Sequence, residues 1–292
     1  MMKTALFVLQ QVRKRLNLSA LTSIESAGDP DELQQIEILQ AVSEELRQYA
    51  CWPQQKRYYT FDTVSGVSSY QLPADFYTPL NSTHYNQDDS FPLIGPLSDG
   101  EFSNILYGNE GNSRNFSYRI FGADQNSASA GGQFKVDPAP DSAVTLSFEY
   151  ISRHLFLPKN WIASTAYTSG VYVNANGNIY LCDTNGTSSS TTAPTGTTAN
   201  ITDGTTQWDY VSAPYELALT DTDLCIFDYD LLKLGVRAKW IEEKGGDYAA
   251  AKYEYETKRD QAIARIKGAV RGSFAKSSPF QRYRVQYRNW SL

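Results

Sequence analysis

Between Lys159 and Lys233 the chain carries no lysine, arginine or histidine, and from Asn160 to Pro214 it is built largely from Thr, Ser, Asn, Gly and a few aromatic residues. Both flanks read as ordinary globular protein of mixed charge, so this stretch is expected to be an independent module inserted into a pre-existing domain. A host interrupted in this way has to be assembled from two separated pieces of chain, and the ends of the insert have to leave from neighbouring surface points.

At 292 residues the chain is long enough for one large domain or two smaller ones with cores of their own. Three cysteines, Cys51, Cys182 and Cys225, form neither an even set nor a CxxC pair, so reduced and mostly buried thiols are expected rather than a disulfide framework or a metal site. The net charge of -6 argues against general nucleic-acid binding, but it is unevenly divided. Leu231 to Leu292 hold 14 Lys and Arg against 6 Asp and Glu, while the remainder holds 12 against 26, which suggests different partners for different ends.

Lys3 precedes an apolar run, Ala5 to Leu9, that is too short for the apolar region of a signal peptide, and no stretch approaches the ~18 residues of a membrane span. The protein is expected to be made and used in soluble form in the cytoplasm, or exported only as part of something larger.

Helical spacing of Ala5, Val8, Leu9, Val12 and Leu16 predicts a first helix ended by Asn17 to Ser19. A second is predicted after Asp29-Pro30, with Leu33, Ile36, Leu39, Val42, Leu46 and Tyr49 as its seam and Pro53 as its stop. From Tyr58 the period becomes two. Tyr59 and Phe61 with Tyr70 and Leu72 flank Val64-Ser65-Gly66 and predict a hairpin; strands are predicted over Ser117 to Phe121, Gln133 to Val136 and Val144 to Tyr150, the last alternating cleanly. A short helix is predicted from Ser98-Asp99, and loops at Gly108 to Asn115 and Ala123 to Gly132. After the insert, Leu224, Phe227, Leu231, Leu234, Ala238 and Ile241 predict a helix starting near Thr222, capped within Thr220 to Asp223 and closed by Gly245-Gly246. Asp247 is expected to cap a last helix carrying Tyr248, Ala251, Tyr255, Ala262 and Ile266 and reaching about Val270.

The expected fold class is therefore α+β: a helical bundle formed from both chain ends, an inserted antiparallel β domain, and a second, small all-β insert module. The expected boundaries are 1–55 with 215–271 for the discontinuous helical core, 56–157 for the β domain, 158–214 for the module and 272–292 for a C-terminal arm. In that arm Tyr283, Val285 and Tyr287 alternate with Arg282, Arg284, Gln286 and Arg288, ahead of Trp290. It has five basic residues from Arg271 onward and no acid, and is expected to dock either on another protein or back on its own subunit.

Catalysis finds little support. His84 and His154 have no nearby Ser, Cys or carboxylate motif, and there is no P-loop, dinucleotide fingerprint or HExxH. The pairs Asp88-Asp89, Asp228 with Asp230, and Glu242-Glu243 lack the rest of a metal-binding loop and read as solvated surface. A glycosidase would need two carboxylates about 5–9 Å apart, which no motif marks. No catalytic residue, cofactor or metal is expected.

The blocks KTALFVLQQVRKRLNLSALTSIES, YYTFDTVSGVSSYQLPADF, PLIGPLSDGEF, VDPAPDSAVTLSFEYIS and DLLKLGVRAKWIEEKGGDYAAAKYEYETKRDQAIAR resemble the adaptor (head-to-tail connector) proteins of short-tailed bacteriophages, over about residues 3 to 157 and 215 to 271. The resemblance implies a structural virion protein of the neck, assembled in the host cytoplasm and forming a homo-oligomeric ring, usually of twelve copies. It implies the portal protein and tail nozzle or tail fibre proteins as partners, transient non-specific contact with double-stranded DNA in a central channel, no membrane and no enzyme activity. A net negative subunit suits such a channel, since a basic lumen would hold phosphates. The arm residues Arg282, Tyr283, Arg284, Val285, Tyr287, Arg288 and Trp290 become candidates for contact with the portal or a neighbouring subunit.

Trp161, Tyr167, Gly170, Val171, Tyr172, Asn178, Ile179 and Tyr180, followed by Gly186, Pro194, Asp203-Gly204 and Trp208, are similar to the small carbohydrate-binding modules of chitin- and cellulose-degrading enzymes. That likeness makes Trp161, Tyr167, Tyr180 and Trp208 candidates for a glycan-binding or docking face, or else for the module's own core. A carbohydrate-binding accessory protein acting through 158–214 is accordingly the second reading.

Overall fold

The structure is a computed structural model describing residues 2–107, 116–122 and 132–267. The candidate arm residues from Arg282 to Trp290, the expected loop at Gly108 to Asn115, most of that at Ala123 to Gly132, and the expected helix end at Val270 lie outside the described residues.

Helix α1 (Ala5–Arg15) is capped by the Thr4 hydroxyl, which accepts from Phe7 N at 3.2 Å, and it buries Ala5, Val8, Leu9 and Val12. Asn17 takes a positive φ of 56°, a conformation Asn tolerates, and turns the chain away. Helix α2 (Pro30–Tyr49) begins on Asp29, whose carboxylate accepts from Asp31 N at 2.8 Å, with Pro30 at its first position. Its buried row is Gln35, Ile38, Leu39, Val42, Ser43 and Leu46. The expected seam is wrong at its ends: Leu33 and Tyr49 are 47% and 46% exposed. α4 (Tyr229–Glu243) packs along α2 as far as its first turn, where Lys244 pairs with Asp31 at 2.8 Å and Glu243 accepts from Gln34; Leu33, six residues before Leu39, is turned about 120° off the buried row, and Tyr49 lies at the helix end under the Arg259 guanidinium.

Helix α3 (Asp99–Tyr107) opens with a capping box, Ser98 N donating to Glu101 at 2.9 Å and Glu101 N to Ser98 Oγ at 3.4 Å. α4 starts at Tyr229, not near Thr222, because Asp228 is its cap, accepting from Asp230 N at 2.9 Å and Leu231 N at 3.3 Å. Leu224, expected in the helix, is in a strand, and Asp223 closes the loop before it. α5 (Ala249–Lys267) is capped by Asp247, which accepts from Ala249 N at 3.2 Å. α4 packs on α1, α2 and α5, and a single apolar core runs from Ala5 and Val42 to Leu232, Trp240 and Tyr255.

The strands are β1 (Lys56–Asp62), β2 (Ser69–Gln71), β3 (Phe76–Pro79), β4 (Tyr85–Asn86), β5 (Phe91–Pro92), β6 (Ser117–Phe121), β7 (Gln133–Asp137) and β8 (Thr145–Ser152). One antiparallel sheet runs β1-β8-β4-β5 with β3 also on β8; another runs β2-β7-β6. The expected hairpin between β1 and β2 does not form. Tyr59 pairs with Phe148 on β8 and Tyr70 with Phe134 on β7, because the intervening turn is tied to the 140–142 loop by Gly66 N to Pro140 O at 2.8 Å and Ser65 Oγ to Asp141 O at 2.9 Å. The two sheets share a core of Leu72, Phe76, Tyr118, Phe134, Val136, Leu146, Phe148 and Tyr150. β8 does not alternate in burial as expected: Ser147 and Ile151, on the face opposite Leu146, Phe148 and Tyr150, are buried too, and Gln87 reaches over that face to donate to Ser147 Oγ at 3.0 Å.

Past β9 (Phe156–Leu157) come β10 (Ala166–Tyr167), β11 (Tyr172–Ala175), β12 (Asn178–Thr184), β13 (Gly186–Thr187), β14 (Ile201–Asp203) and β15 (Thr206–Tyr210); β16 (Leu224–Cys225) then pairs with β9. β11-β12-β15-β14 form one sheet and β10-β13 a second. Asn176 and Gly177, with φ of 52° and 83°, make the tight turn between β11 and β12 that an Asn-Gly pair favours. Chain departure and return lie side by side: Leu157 pairs with Leu224, and Leu155 N donates to Tyr215 O at 3.1 Å. The N-terminus joins them through Ala5 N to Asp223 O at 2.8 Å and Cys225 N to Lys3 O at 2.9 Å.

Candidate functional site

The four aromatic residues singled out in the module do not form an exposed face. Tyr167, Tyr180 and Trp208 are 4%, 0% and 0% exposed and fill a core with Val173, Ala175 and Cys182, while Trp161 is half-buried against it. Asp203, itself buried, holds the two indoles together: its Oδ2 accepts from Trp161 Nε1 at 2.8 Å and Trp208 Nε1 at 2.9 Å, and its Oδ1 from Ser189 N at 2.7 Å. In a sheet this small the buried rings of Tyr167, Tyr180 and Trp208 are the main filling of the interior, with Val171, Ile201 and Tyr210 packed around them.

A polar junction that the sequence did not announce sits where α2, β8 and the chain returning from the module meet. Arg47 on α2 donates to Glu216 at 2.7 Å and to Arg153 O at 2.9 Å, and Arg153 approaches the other oxygen of Glu216 at 3.5 Å. The His154 ring, 6% exposed, accepts from Tyr215 N through Nδ1 at 2.8 Å and turns Nε2 toward Asp75 at 3.6 Å. That pattern fits the neutral ring with its proton on Nε2. Burial lowers its pKa and outweighs the opposing pull of Asp75 and Glu216. Asp75 also accepts from Tyr150 Oη at 2.8 Å and Ser152 Oγ at 2.6 Å, and Asp223 from Tyr215 Oη at 2.9 Å. The only signal in the sequence was the charge of these residues; their meeting depends on segments far apart in the chain.

Beside the junction a cleft of about 480 Å³ opens between the β domain and the module. Arg57, Tyr58 and Tyr59 of β1 lie on one wall, Asn176, Asn178, Thr197, Tyr210 and Ser212 on the other, with Asp75 and Tyr150 between. Burial raises the pKa of Tyr59, and that of Tyr210 is raised by burial with help from Asp75, Tyr180 and Tyr59, so its hydroxyl is held neutral beside the other groups of the cleft. A second, open groove of about 440 Å³ runs between the end of α1 and α4 and α5, where Arg15, Lys233 and Lys258 mix with Asp230 and Glu254.

Nothing resembling a catalytic constellation is present among the described residues. His84 is stacked on Tyr118, Phe134 and Phe148 with its Nδ1 3.0 Å from Tyr118 Oη. The three cysteines are free; Cys182 and Cys225 are buried and Cys51, just past the end of α2, is exposed. Burial pushes the Cys225 thiol strongly toward the protonated form. Among the described residues no group of three or more His, Cys, Asp or Glu is placed to hold a metal ion, and no helix is long and apolar enough to cross a membrane.

A family model described as SU10 adaptor protein matches residues 4–175. The matched region covers α1, α2 and the β domain, passes Leu157 into the segment read as an insert, and stops before α4 and α5. No curated protein matches the chain.

Proposed function

The chain belongs to the SU10 adaptor protein family, and on that premise we propose that it is a structural component of a bacteriophage neck, whose copies form a ring joining the portal to the tail. The observation that carries this reading is the family match, which extends over more than half of the chain. An adaptor associates with other virion proteins, here the portal above and tail nozzle or tail fibre proteins below. The ring, of about twelve copies as the likeness to short-tailed phage connectors suggests, leaves a passage for double-stranded DNA. A chain with net charge -6 supports passage without retention, because its 32 Asp and Glu outnumber its 26 Lys and Arg and the excess repels the phosphates.

Assembly draws on pieces that a single subunit leaves over. Leu33 and Tyr49 on α2 and Tyr253 on α5, 73% exposed, are apolar side chains suited to a neighbouring copy. The arm from Arg282 to Trp290 contacts the portal or the neighbouring subunit through its Arg and Tyr side chains. The module 158–214 projects from the outside of the ring as a repeated docking point for other tail proteins. Assembly takes place in the host cytoplasm. The second reading, a sugar-binding accessory protein acting through Trp161, Tyr167, Tyr180 and Trp208, is disfavoured by their burial.

Electron micrographs of the purified protein, alone and mixed with portal, test the proposal. Rings with a hole about as wide as a DNA duplex are expected, and protein truncated after Gly272 is expected to stay folded but to fail to join portal. Protein that remains monomeric under both conditions would remove the ring reading; truncated protein that still decorates portals would remove the role of the arm.

A further inference from the structure

We propose that the free edge of β1 takes up the segment 282–288 of a neighbouring copy as an added antiparallel strand. Only the presence of a neighbour rests on the assembly reading above; the edge itself belongs to one subunit.

β1 is the outermost strand of its sheet, and over its seven residues it pairs with β8 without a shift of register. The direction of its backbone groups follows from β8. Gln87 N donates to Thr145 O at 2.9 Å and Leu80 N to Glu149 O at 2.9 Å, so Thr145 and Glu149 turn their peptide groups away from β1. Their partners across the ladder, Asp62 and Tyr58, therefore point their own N–H and C=O away from β8, as does Thr60 opposite Ser147. Among the described residues these three find no backbone partner on that side, and all three are exposed. The other sheet edges are short or overlaid. β2, β5 and β14 have at most three residues. Residues 94–97 lie along β6, with Tyr118 N donating to Ile94 O at 2.9 Å and Leu97 N to Tyr118 O at 3.0 Å, and residues 159–161 lie along β11, with Asn174 N donating to Lys159 O at 2.9 Å. A long edge with neither bulge nor proline is the kind that accepts a strand from another chain.

Pattern and charge select the occupant. Beyond Arg57, the core side of the edge carries Tyr59 and Phe61, both only partly buried, with the Tyr70 ring 4.9 Å from that of Phe61. On the opposite face Asp62, and Glu149 across from Tyr58, outweigh the single cation Lys56. A strand suited to this edge has an apolar row for the first face and a basic row for the second. Segment 282–288 has both, over the same length as β1: Tyr283, Val285 and Tyr287 alternate with Arg282, Arg284 and Arg288, and no acid interrupts them. The chain between Lys267, where α5 ends, and Arg282 spans up to about 50 Å when extended, enough for the segment to leave its own subunit. An arm of one copy seated on the edge of the next is a head-to-tail contact, which repeats around a ring.

The test is fluorescence anisotropy of a fluorescein-labelled peptide of residues 280–292 titrated with the full chain. The peptide stands in for the neighbour's arm whether or not rings form, so failure here is distinct from failure of the ring reading in micrographs. Saturable binding is expected, weaker by about tenfold or more for a peptide of the same composition whose alternation is scrambled. Thr60→Pro removes an N–H that makes no bond to β8; it is expected to weaken binding by about tenfold or more while thermal unfolding stays near that of the parent. With p-benzoylphenylalanine in place of Tyr287 in the peptide, photo-crosslinks to residues 56–62 of the parent chain are expected, whatever the fate of the proline variant. No binding at about 100 µM protein, equal binding of the scrambled peptide, unchanged binding by folded Thr60→Pro, or crosslinks confined to other segments would each overturn the proposal.

Discussion

His84, 2% exposed, is held in a stack with the Tyr118, Phe148 and Phe134 rings at 4.2, 5.0 and 6.0 Å, and burial lowers its pKa from 6.5 to about 4. The folded state therefore favours the neutral ring. That contribution is complete above the unfolded pKa of about 6.5 and is lost as pH falls toward about 4, over which the single group accounts for on the order of 2–3 kcal/mol. His154, also lowered, acts with the same sign. Urea unfolding of His84→Phe is expected to show a shallower decline over this range than the parent protein; parallel declines would mean that His84 titrates normally in the fold. The Asp203 carboxylate gives a second residue-level expectation. Asp203→Ala leaves the Trp161 and Trp208 indole N–H groups without their acceptor, at a cost of about 1–3 kcal/mol for each buried donor. Tryptophan fluorescence should report loosening of the module at lower urea than the parent, and an unchanged midpoint would show that the shared carboxylate contributes nothing. Asp203-Gly204 was visible in the sequence as a motif, but the sharing of one carboxylate by two indoles was not, because Trp161 reaches it from far along the chain. Arg13 is a parallel case. Although it is charged and flanked by Lys14 and Arg15, it is 2% exposed, donating from Nε to Ser19 O at 2.5 Å and from a terminal nitrogen to Gln35 at 3.2 Å.

At the level of elements, α4 owes its central place to a glycine. A Cβ added at Gly235 would lie 2.6 Å from Val42 Cγ1 and 3.0 Å from the Tyr255 ring, so α2 and α5 both close on α4 at that point. Gly235→Ala improves intrinsic helix propensity by roughly 1 kcal/mol but forces these contacts apart. A net loss of about 1–3 kcal/mol in thermal or urea unfolding is expected, and a stabilised variant would show that the helices have room to separate. Helix positions were largely legible: Asp29-Pro30, Ser98 and Asp247 begin helices as their residue types suggested, whereas the Thr4 cap of α1 went unread. The start of α4 was not, since Asp223 and Asp228 both look like caps and only the pairing of β16 with β9 assigns Asp223 to the preceding loop. Strand positions at β6 and β7 were legible as well, whereas partners were not. Alternation tells which side of a strand faces inward, and Tyr59 is compatible with any neighbour that offers an apolar face; β8 won that place over β2.

For the whole molecule, the closeness of Leu157 to Leu224 suggests that residues 160–212 can be replaced by a short Gly-Ser linker without disturbing α1, α2, α4 and α5. Far-ultraviolet circular dichroism should retain the helical signal, while the melting temperature falls, because Ile179 is buried in the helical core and Tyr172 and Val211 pack against it. Loss of the helical signal would mean that the module is a structural part of the core. The buried Ile179 also shows why a break in composition was an incomplete guide: the polar segment has an aromatic core of its own, yet it lends apolar side chains to its neighbour. Local rules sufficed for most helix starts, the Asn-Gly turn and the mixed α and β character, since caps, periodicity and turn stereochemistry act over a few residues. Long-range packing alone chose the strand partners, drew Tyr167, Tyr180 and Trp208 inward, and brought Arg47, Asp75, His154 and Glu216 to one junction. Those outcomes depend on which surfaces compete for the same neighbour, a contest between segments that no short window of sequence contains.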